Sequence, residues 1–389
     1  MSAGDASSGP LRVTLLTRRW SVRAGNERVA VELARQLGAR GHAVDVYVHR
    51  DDGSAVDLAP NARVHRLPGV GFDPTLAMLS YALVTERLVA RLRRERATDV
   101  IVGFGHSLTH DVYRLGAGTH AEYLRILGEQ PGAPRHPLLD RAALRLERIR
   151  LRPEHTRWLV APSERVRAEL IGHYAVDPAR IEVIGNGIDR ERFSPAGPPG
   201  ERAAVRARWR IGEDETVLLF VGQDPERKGW PVALAVARAL GARLVYVGRA
   251  PRPREVPAPA VWDGERRDVE ACYRAADLLV LPSHYDPFGG VVLEALASGL
   301  PAVATARIGA TERMRGSALD RLRIESPSDV TGFVEAARWA LAPERRAALR
   351  AIARDVTAGA DREAWAARME AVLLRAVREA PRDSSGGRG

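Results

Sequence analysis

The chain of 389 residues has one cysteine, Cys272, and one lysine, Lys228. A single cysteine excludes an intrachain disulfide and suits a reducing compartment. Nothing beside Cys272 in the sequence would activate a thiol, so it reads as packing. Aromatic residues make up 5% of the chain. With neither zinc-finger spacing nor an aromatic RNA-binding motif, a nucleic-acid partner is not expected. No apolar run approaches the ~18 residues of a membrane span. Residues 1–10 are polar and lack the apolar stretch of a signal peptide. The expectation from these absences is a cytoplasmic protein. Its Ser/Gly/Pro-rich ends, 1–10 and 381–389, read as disordered.

What is plentiful is arginine. Lys and Arg together number 59 against 49 Asp and Glu, a net charge of +10. That excess points to an anionic partner, either a phosphorylated substrate or an anionic membrane surface. Hydrophobic content of 45% marks a folded protein, and the length suits two domains with sizeable cores. Most surface positions accept either cation, so a lysine standing alone against an arginine bias is informative. Lysine is a compact, mobile point charge where arginine is a rigid planar fork. Lys228 follows the apolar run 217–221 and a polar turn. That is the carboxyl end of a strand, where an open α/β sheet holds its ligand.

The chain repeats one plan. A strand is expected over 11–17, then a loop with Gly25, then a helix over 26–37 with Val29, Leu33, Ala34 and Leu37 on one face, then a strand over 43–48. The same order returns as strand 217–221, helix 231–240 and strand 244–247, and both units carry Leu-Gly-Ala-Arg, at 37–40 and 240–243. Buried strands alternating with helices read as parallel sheets. The fold class is therefore α/β, two Rossmann-like doubly wound domains facing across a cleft, and that cleft is the default ligand site. The Asn186-Gly187 turn and the Pro/Gly-rich stretch 194–200 mark the linker. The expected division is 1–190, 191–361, a last helix 362–380 packing back on the first domain through Trp365, Met369, Val372 and Leu373, and a tail 381–389.

The stretch 279–301 carries the chemistry. A strand end leads through Asp286 and Phe288-Gly289-Gly290 into a helix starting near Gly289. The first turn of a helix offers unpaired N–H groups and a positive dipole end, and glycines let a ligand reach the backbone. This is an anion site suited to a diphosphate. Glu294, one turn into the helix, is placed to accept hydrogen bonds from ribose hydroxyls.

These residues resemble the retaining glycosyltransferases of family 4, with the GT-B fold. That family's signature is an acid, seven residues, then Glu, within Pro-Phe-Gly and Leu-Glu-Ala-x-Ala-x-Gly-x-Pro; here it spans Asp286 to Glu294, with Asp in place of the commoner Glu. The resemblance implies that Asp286 contacts the donor sugar and Glu294 the ribose. It implies that Arg227-Lys228 before Gly229 holds the donor diphosphate. The first loop and helix, with Gly25, resemble the part that closes on the phosphates. The text around 162–164 and 183–195 also matches. Gly103-Phe104, Asp111 to Tyr113 and His120 to Glu122 resemble the glucosyltransferases of the lipopolysaccharide core, in which a histidine at the place of His120 contacts the donor sugar.

The first domain is then the acceptor side, with Arg18, Arg19 and Arg23 in its first loop and Asp111 as candidates, and the second the nucleotide-sugar domain. The implied activity is retaining transfer of a hexose, glucose from UDP-glucose, to a lipid-linked or core-like glycan. The acceptor attacks on the face of the departing diphosphate. No Asp-x-Asp motif follows a strand, so no metal and no other cofactor is expected. The helix 141–152, with Arg141, Arg145, Arg148, Arg150 and Arg152 beside Leu144, Leu146 and Ile149, and the run Arg91, Arg93, Arg94 and Arg96 are candidates for resting on anionic lipid at the inner membrane face. His106 and His110 have no assigned role. The alternatives are a tailoring transferase for a soluble natural product, a nucleotide-sugar epimerase, and a basic binding module without catalysis.

Overall fold

The computed structural model describes residues 9–22, 25–55, 58–70, 73–129 and 136–380. They form two compact units. One holds the described residues up to Ile184 together with those from Glu363 onward, and the other is Gly185–Arg362. The division thus falls at Ile184, upstream of the 190 read from composition. The reason is local: Ile184 is buried in the first core, and its N–H still bonds the Ala161 carbonyl at 2.9 Å.

The first unit runs β1 (Arg12–Trp20), α1 (Gly25–Ala39), β2 (Ala43–Asp51), β3 (Ala62–Arg66), α2 (Pro74–Arg94), β4 (Val100–Phe104), β5 (His110–Arg114), α3 (His120–Gly128), α4 (Pro137–Arg150), β6 (Thr156–Ala161), α5 (Glu164–Tyr174) and β7 (Ile181–Val183). All seven strands are parallel, in the order β3-β2-β1-β4-β5-β6-β7. The central strands are covered on both faces, which is why they read as unbroken apolar runs. Helix starts follow local chemistry. Asp73 accepts from the Leu76 N–H at 2.8 Å ahead of Pro74, and Thr119 and Ser163 cap α3 and α5 in the same way.

The second unit runs α6 (Glu201–Trp209), β8 (Val217–Val221), α7 (Trp230–Leu240), β9 (Arg243–Val247), β10 (Ala260–Gly264), α8 (Val269–Ala275), β11 (Leu278–Leu281), α9 (Gly290–Ala297), β12 (Ala302–Thr305), β13 (Arg323–Ile324), α10 (Val330–Leu341) and α11 (Pro343–Asp355). Its sheet is also parallel, in the order β10-β9-β8-β11-β12-β13.

The last helix, α12 (Arg362–Arg378), belongs to the first unit from Glu363 onward. Trp365, Met369, Val372 and Leu373 are buried in the core that holds Val13, Leu15 and Val46. Burying such side chains is worth on the order of 1.5–3 kcal/mol each. His42 fixes the register: its Nδ1 accepts the Leu11 N–H at 3.0 Å and its Nε2 lies 2.8 Å from Glu370.

Chain order reverses once in each sheet, between β1 and β4 in the first and between β8 and β11 in the second. Loops leaving the carboxyl ends of those strand pairs splay apart and open a crevice. β1 is longer than its apolar run suggests. Arg19 and Trp20 still pair with Arg50 and Asp51 of β2, so Arg18 and Arg19 belong to the strand end and not to a loop. Arg23 lies outside the described residues.

Candidate active site

In the second unit the turn after β8 carries Arg227 and Lys228. The Lys228 N–H bonds the Asp224 carbonyl at 3.1 Å, and Gly229 follows with φ +82°. Only glycine fits there, since a Cβ would stand 2.1 Å from the Pro282 carbonyl oxygen. Lys228 is 7% exposed, with its stem laid against Gly222, where a Cβ would meet the lysine Cδ at 2.3 Å. Its Nζ lies 3.1 Å from Asp286 Oδ2, on the loop after β11. Arg227 donates to the Tyr285 carbonyl at 2.6 Å and to Asp224 Oδ2 at 3.2 Å. The two loops at the chain reversal are thus held together by an ion pair and a charged hydrogen bond.

Both helices that begin here start from a positive-φ glycine without a side-chain cap: α7 after Gly229 and α9 after Gly289, at φ +76°. At α9 the Gly290 and Val291 N–H groups face an anion site of the kind a helix start offers, whereas at α7 the Trp230 and Val232 N–H groups bond the Pro225 and Gly229 carbonyls and Pro231 has no N–H. At Gly289 a Cβ would stand 2.3 Å from Ile308 Cγ2, so the backbone beside Asp286 stays bare. Phe288 is buried, and its carbonyl accepts the Ala310 N–H at 2.6 Å. Gly290 opens α9. Glu294, 6% exposed, accepts from the Tyr273 hydroxyl at 2.9 Å. A buried carboxylate held by a phenol is oriented, and sequence reasoning missed Tyr273 because it comes from α8.

One strand over, a shallow pocket of about 470 Å³ is lined by Gly248, Arg249, Trp262, Gly264 and Glu265. Trp262 stacks on Tyr246 at 3.8 Å between centroids, and the Tyr246 hydroxyl donates to the Gly222 carbonyl at 2.7 Å. Gly222 therefore touches the lysine stem on one side and the aromatic stack on the other. Cys272 is fully buried, with its Sγ 3.9 Å from Asp263 Oδ2 on β10, and burial pushes its thiol up to about 12.

The first unit places its predicted residues less uniformly. Arg18 and Arg19 stand at the carboxyl end of β1, and Gly25 opens α1. His120 opens α3. Its N–H bonds Glu147 Oε1 at 2.8 Å and its Nε2 lies 3.0 Å from Asp140. Asp111 is a correction. It sits at the amino end of β5, where its carboxylate accepts the Ile101 N–H at 2.8 Å and pairs with Arg93 at 3.2 Å, on the sheet edge opposite the strand carboxyl ends. Arg150 is a second correction: it is 5% exposed and turned inward, unlike Arg141, Arg145 and Arg148 on the same helix. His110 is fully engaged, with Ser107 at 2.7 Å and Thr156 at 3.2 Å, and burial holds its imidazole neutral. His106, on the loop after β4, is held neutral by burial and by the positive charge of Arg150, Arg18 and His120, which push it down to about 3.

Two sequence families match: Glycosyltransferase Family 4 over residues 23–192 and Glycosyl transferases group 1 over residues 215–342. A protein of Burkholderia thailandensis named Probable transglycosylase is 33% identical, covering 79% of this chain and 80% of its own. The chain belongs to glycosyltransferase family 4.

Among further relatives of this family 4 transferase, the D-inositol 3-phosphate glycosyltransferase of Saccharomonospora viridis is 30% identical over 89% of this chain and 86% of that one. The fold is also that of WaaG, a glycosyltransferase involved in lipopolysaccharide biosynthesis (TM-score 0.73, 24% identity, 93% and 99% of the two chains). The Anabaena HepE structure with UDP-glucose is similar as well (TM-score 0.69, 17% identity, 94% and 100%). These likenesses make the architecture GT-B, two Rossmann-like parallel-sheet domains.

Proposed function

We propose that this transferase moves glucose from UDP-glucose to a hydroxyl of a glycan or glycolipid, with retention and without a metal. The observation that carries the reading is the Lys228–Asp286 pair at the β8–β11 reversal, beside the uncapped start of α9. Negative charge grows on the diphosphate as the C1–O bond breaks. Arg227, Lys228 and the α9 N-terminus answer it where it develops. The acceptor oxygen bonds C1 on the same face, and its proton passes to the departing phosphate oxygen. Asp286 positions sugar hydroxyls and steadies the lysine. Glu294, oriented by Tyr273, takes the ribose, and the Trp262 pocket takes the base. Within the first unit, His120 and Gly25 are the candidates for donor contact, and Arg18 and Arg19 for the acceptor.

Family membership and the UDP-glucose bound by HepE support the donor. The name of the Saccharomonospora relative adds polyol phosphates to the acceptors worth assaying. The test is a donor panel with product analysis. UDP-glucose with an acceptor should give an α-configured glycoside by NMR, undiminished by EDTA. A new nucleotide sugar formed without acceptor would instead mean an epimerase.

The same reading places the enzyme on anionic membranes. Among the described residues the large exposed apolar side chains are Leu76, Leu83 and Leu138, all on α2 and α4, which pack together through Met78, Ala82, Ala143 and Leu146. Exposed Arg87, Arg91, Arg141, Arg145 and Arg148 lie on the same two helices. No helix of the described residues is long and apolar enough to cross a membrane.

A further inference from the structure

Four aromatic rings pack near the carboxyl ends of β8, β9 and β10, and Tyr246 of β9 is the ring they share. It stacks on Trp262 of β10 at 3.8 Å between centroids and meets Trp230, the first residue of α7, edge-on at 5.8 Å. Phe220 of β8 completes the cluster, 5.3 Å from Trp230 and 6.1 Å from Tyr246. Tyr246 is fully buried. A buried phenol needs partners for its hydroxyl. Here the hydroxyl donates to the Gly222 carbonyl at 2.7 Å and accepts the Ala250 N–H at 3.1 Å. One oxygen thus ties the loop after β8 to the loop after β9. A phenylalanine would fill the core as well, so packing alone does not account for the hydroxyl.

The residue it holds is the one Lys228 rests on. A Cβ on Gly222 would meet Lys228 Cδ at 2.3 Å and Cε at 2.9 Å, so the lysine stem lies directly against the glycine backbone. The Gly222 N–H bonds the Val247 carbonyl at 3.0 Å, which leaves its carbonyl to the tyrosine. Gly248 stands close behind: a Cβ there would lie 1.9 Å from the Gly222 carbonyl oxygen and 2.4 Å from the Tyr246 oxygen. The cluster also reaches the lysine turn through Trp230, whose N–H bonds the Pro225 carbonyl at 2.8 Å. The Asp286 ion pair fixes only the tip of Lys228. A flexible four-carbon stem needs a wall along its length to keep the charge in one place.

We infer that Tyr246 is a positioning residue: its hydroxyl fixes the Gly222 peptide that carries the Lys228 stem, and so sets where the lysine charge stands. Its ring backs Trp262. The catalytic consequence rests on the transferase reading, in which that charge answers the departing diphosphate and the Trp262 pocket takes the base. Hydroxyl and ring then serve different steps, the hydroxyl turnover and the ring nucleotide binding. A shift of about 1 Å in a reacting or charged group can cost on the order of 100-fold in rate.

The test combines kinetics with UDP-glucose and NMR of protein grown on ¹³C-lysine, in which one side chain is labelled because Lys228 is the only lysine. Tyr246→Phe should lower kcat about tenfold and leave KM for UDP-glucose within about twofold, since phenylalanine keeps the ring behind Trp262. Tyr246→Leu, which removes the ring as well, should also raise KM. In Lys228→Ala the Tyr246→Phe change should cost less than about twofold, because the group it positions is gone. Wild-type protein should show two distinct ε-proton signals from a stem held in one place, and in Tyr246→Phe they should merge. Gly248→Ala presses on the same contact from the neighbouring loop, so it should merge them too and lower kcat. A tyrosine that only supports the core would lower Tm and cost the same in wild type and in Lys228→Ala. That additivity, or ε-proton signals unchanged in Tyr246→Phe, would overturn the inference. Merging signals with no turnover of any nucleotide sugar by wild type would sink the transferase reading and leave the positioning of Lys228 by Tyr246 standing.

Discussion

Lys228 Nζ stands 3.1 Å from Asp286 Oδ2, and through that contact the loops after β8 and β11 become one surface. The two residues are far apart in sequence. They meet because β8 and β11 are neighbours in the sheet and both loops leave from carboxyl ends. The lysine is nine-tenths buried, so under the proposed function a diphosphate would find a charge already in position and poorly screened.

Glu294 and Tyr273 are joined by a 2.9 Å hydrogen bond, and the proposed function gives the pair to the donor. Glu294→Gln should weaken UDP-glucose binding about tenfold, and Tyr273→Phe by less, since it frees the carboxylate without removing it. Calorimetry with UDP-glucose measures both. Unchanged affinity in Glu294→Gln would remove the ribose assignment.

Gly289→Ala combines a positive φ with a Cβ 2.3 Å from Ile308 Cγ2. The strain is of order 1–3 kcal/mol. Thermal melting should show a lower Tm, and turnover should fall because the α9 start is displaced. A Tm within a degree of wild type would show that the loop accommodates a side chain.

His106 offers a pH test. Burial and its cationic neighbours push its imidazole from 6.5 down to about 3. The unfolded chain therefore binds this proton first, so the neutral histidine contributes stability that is full above pH 6.5 and is lost as pH falls toward 3. Its imidazole NMR signal should stay flat from pH 8 to about 4. A titration midpoint near 6.5 would place His106 in solvent.

Leu83→Asn with Leu76→Asn should reduce flotation with vesicles of phosphatidylglycerol and phosphatidylcholine several-fold while leaving Tm nearly unchanged, because both side chains are exposed. Equal flotation on purely zwitterionic vesicles would remove the role of the arginines.

The second unit was legible because parallel strands buried on both faces are written as apolar runs, and 217–221 needed no tertiary information. The motif from Asp286 to Glu294 and the solitary Lys228 pointed to the same edge of the sheet. The first unit was harder. Arg18 and Arg19 look like loop residues, but the β2 ladder carries the strand through them. Asp111 looked like a site acid; which end of a strand a residue occupies depends on where pairing begins. Arg150 sits in an arginine-rich helical pattern that suggests solvent. It is buried because Gly105 and Tyr113, on other elements, supply its partners. Tyr246 and Tyr273 carried no local signal at all.

Lys228 remains the most direct test. Turnover of UDP-glucose should be measured in Lys228→Ala and Lys228→Arg with Tm as the control for folding. The account predicts a loss of roughly 100–1000-fold in Lys228→Ala. It predicts a loss in Lys228→Arg as well, because a rigid planar fork would replace the mobile point charge that meets Asp286 Oδ2. Turnover within twofold of wild type in Lys228→Ala would contradict the account.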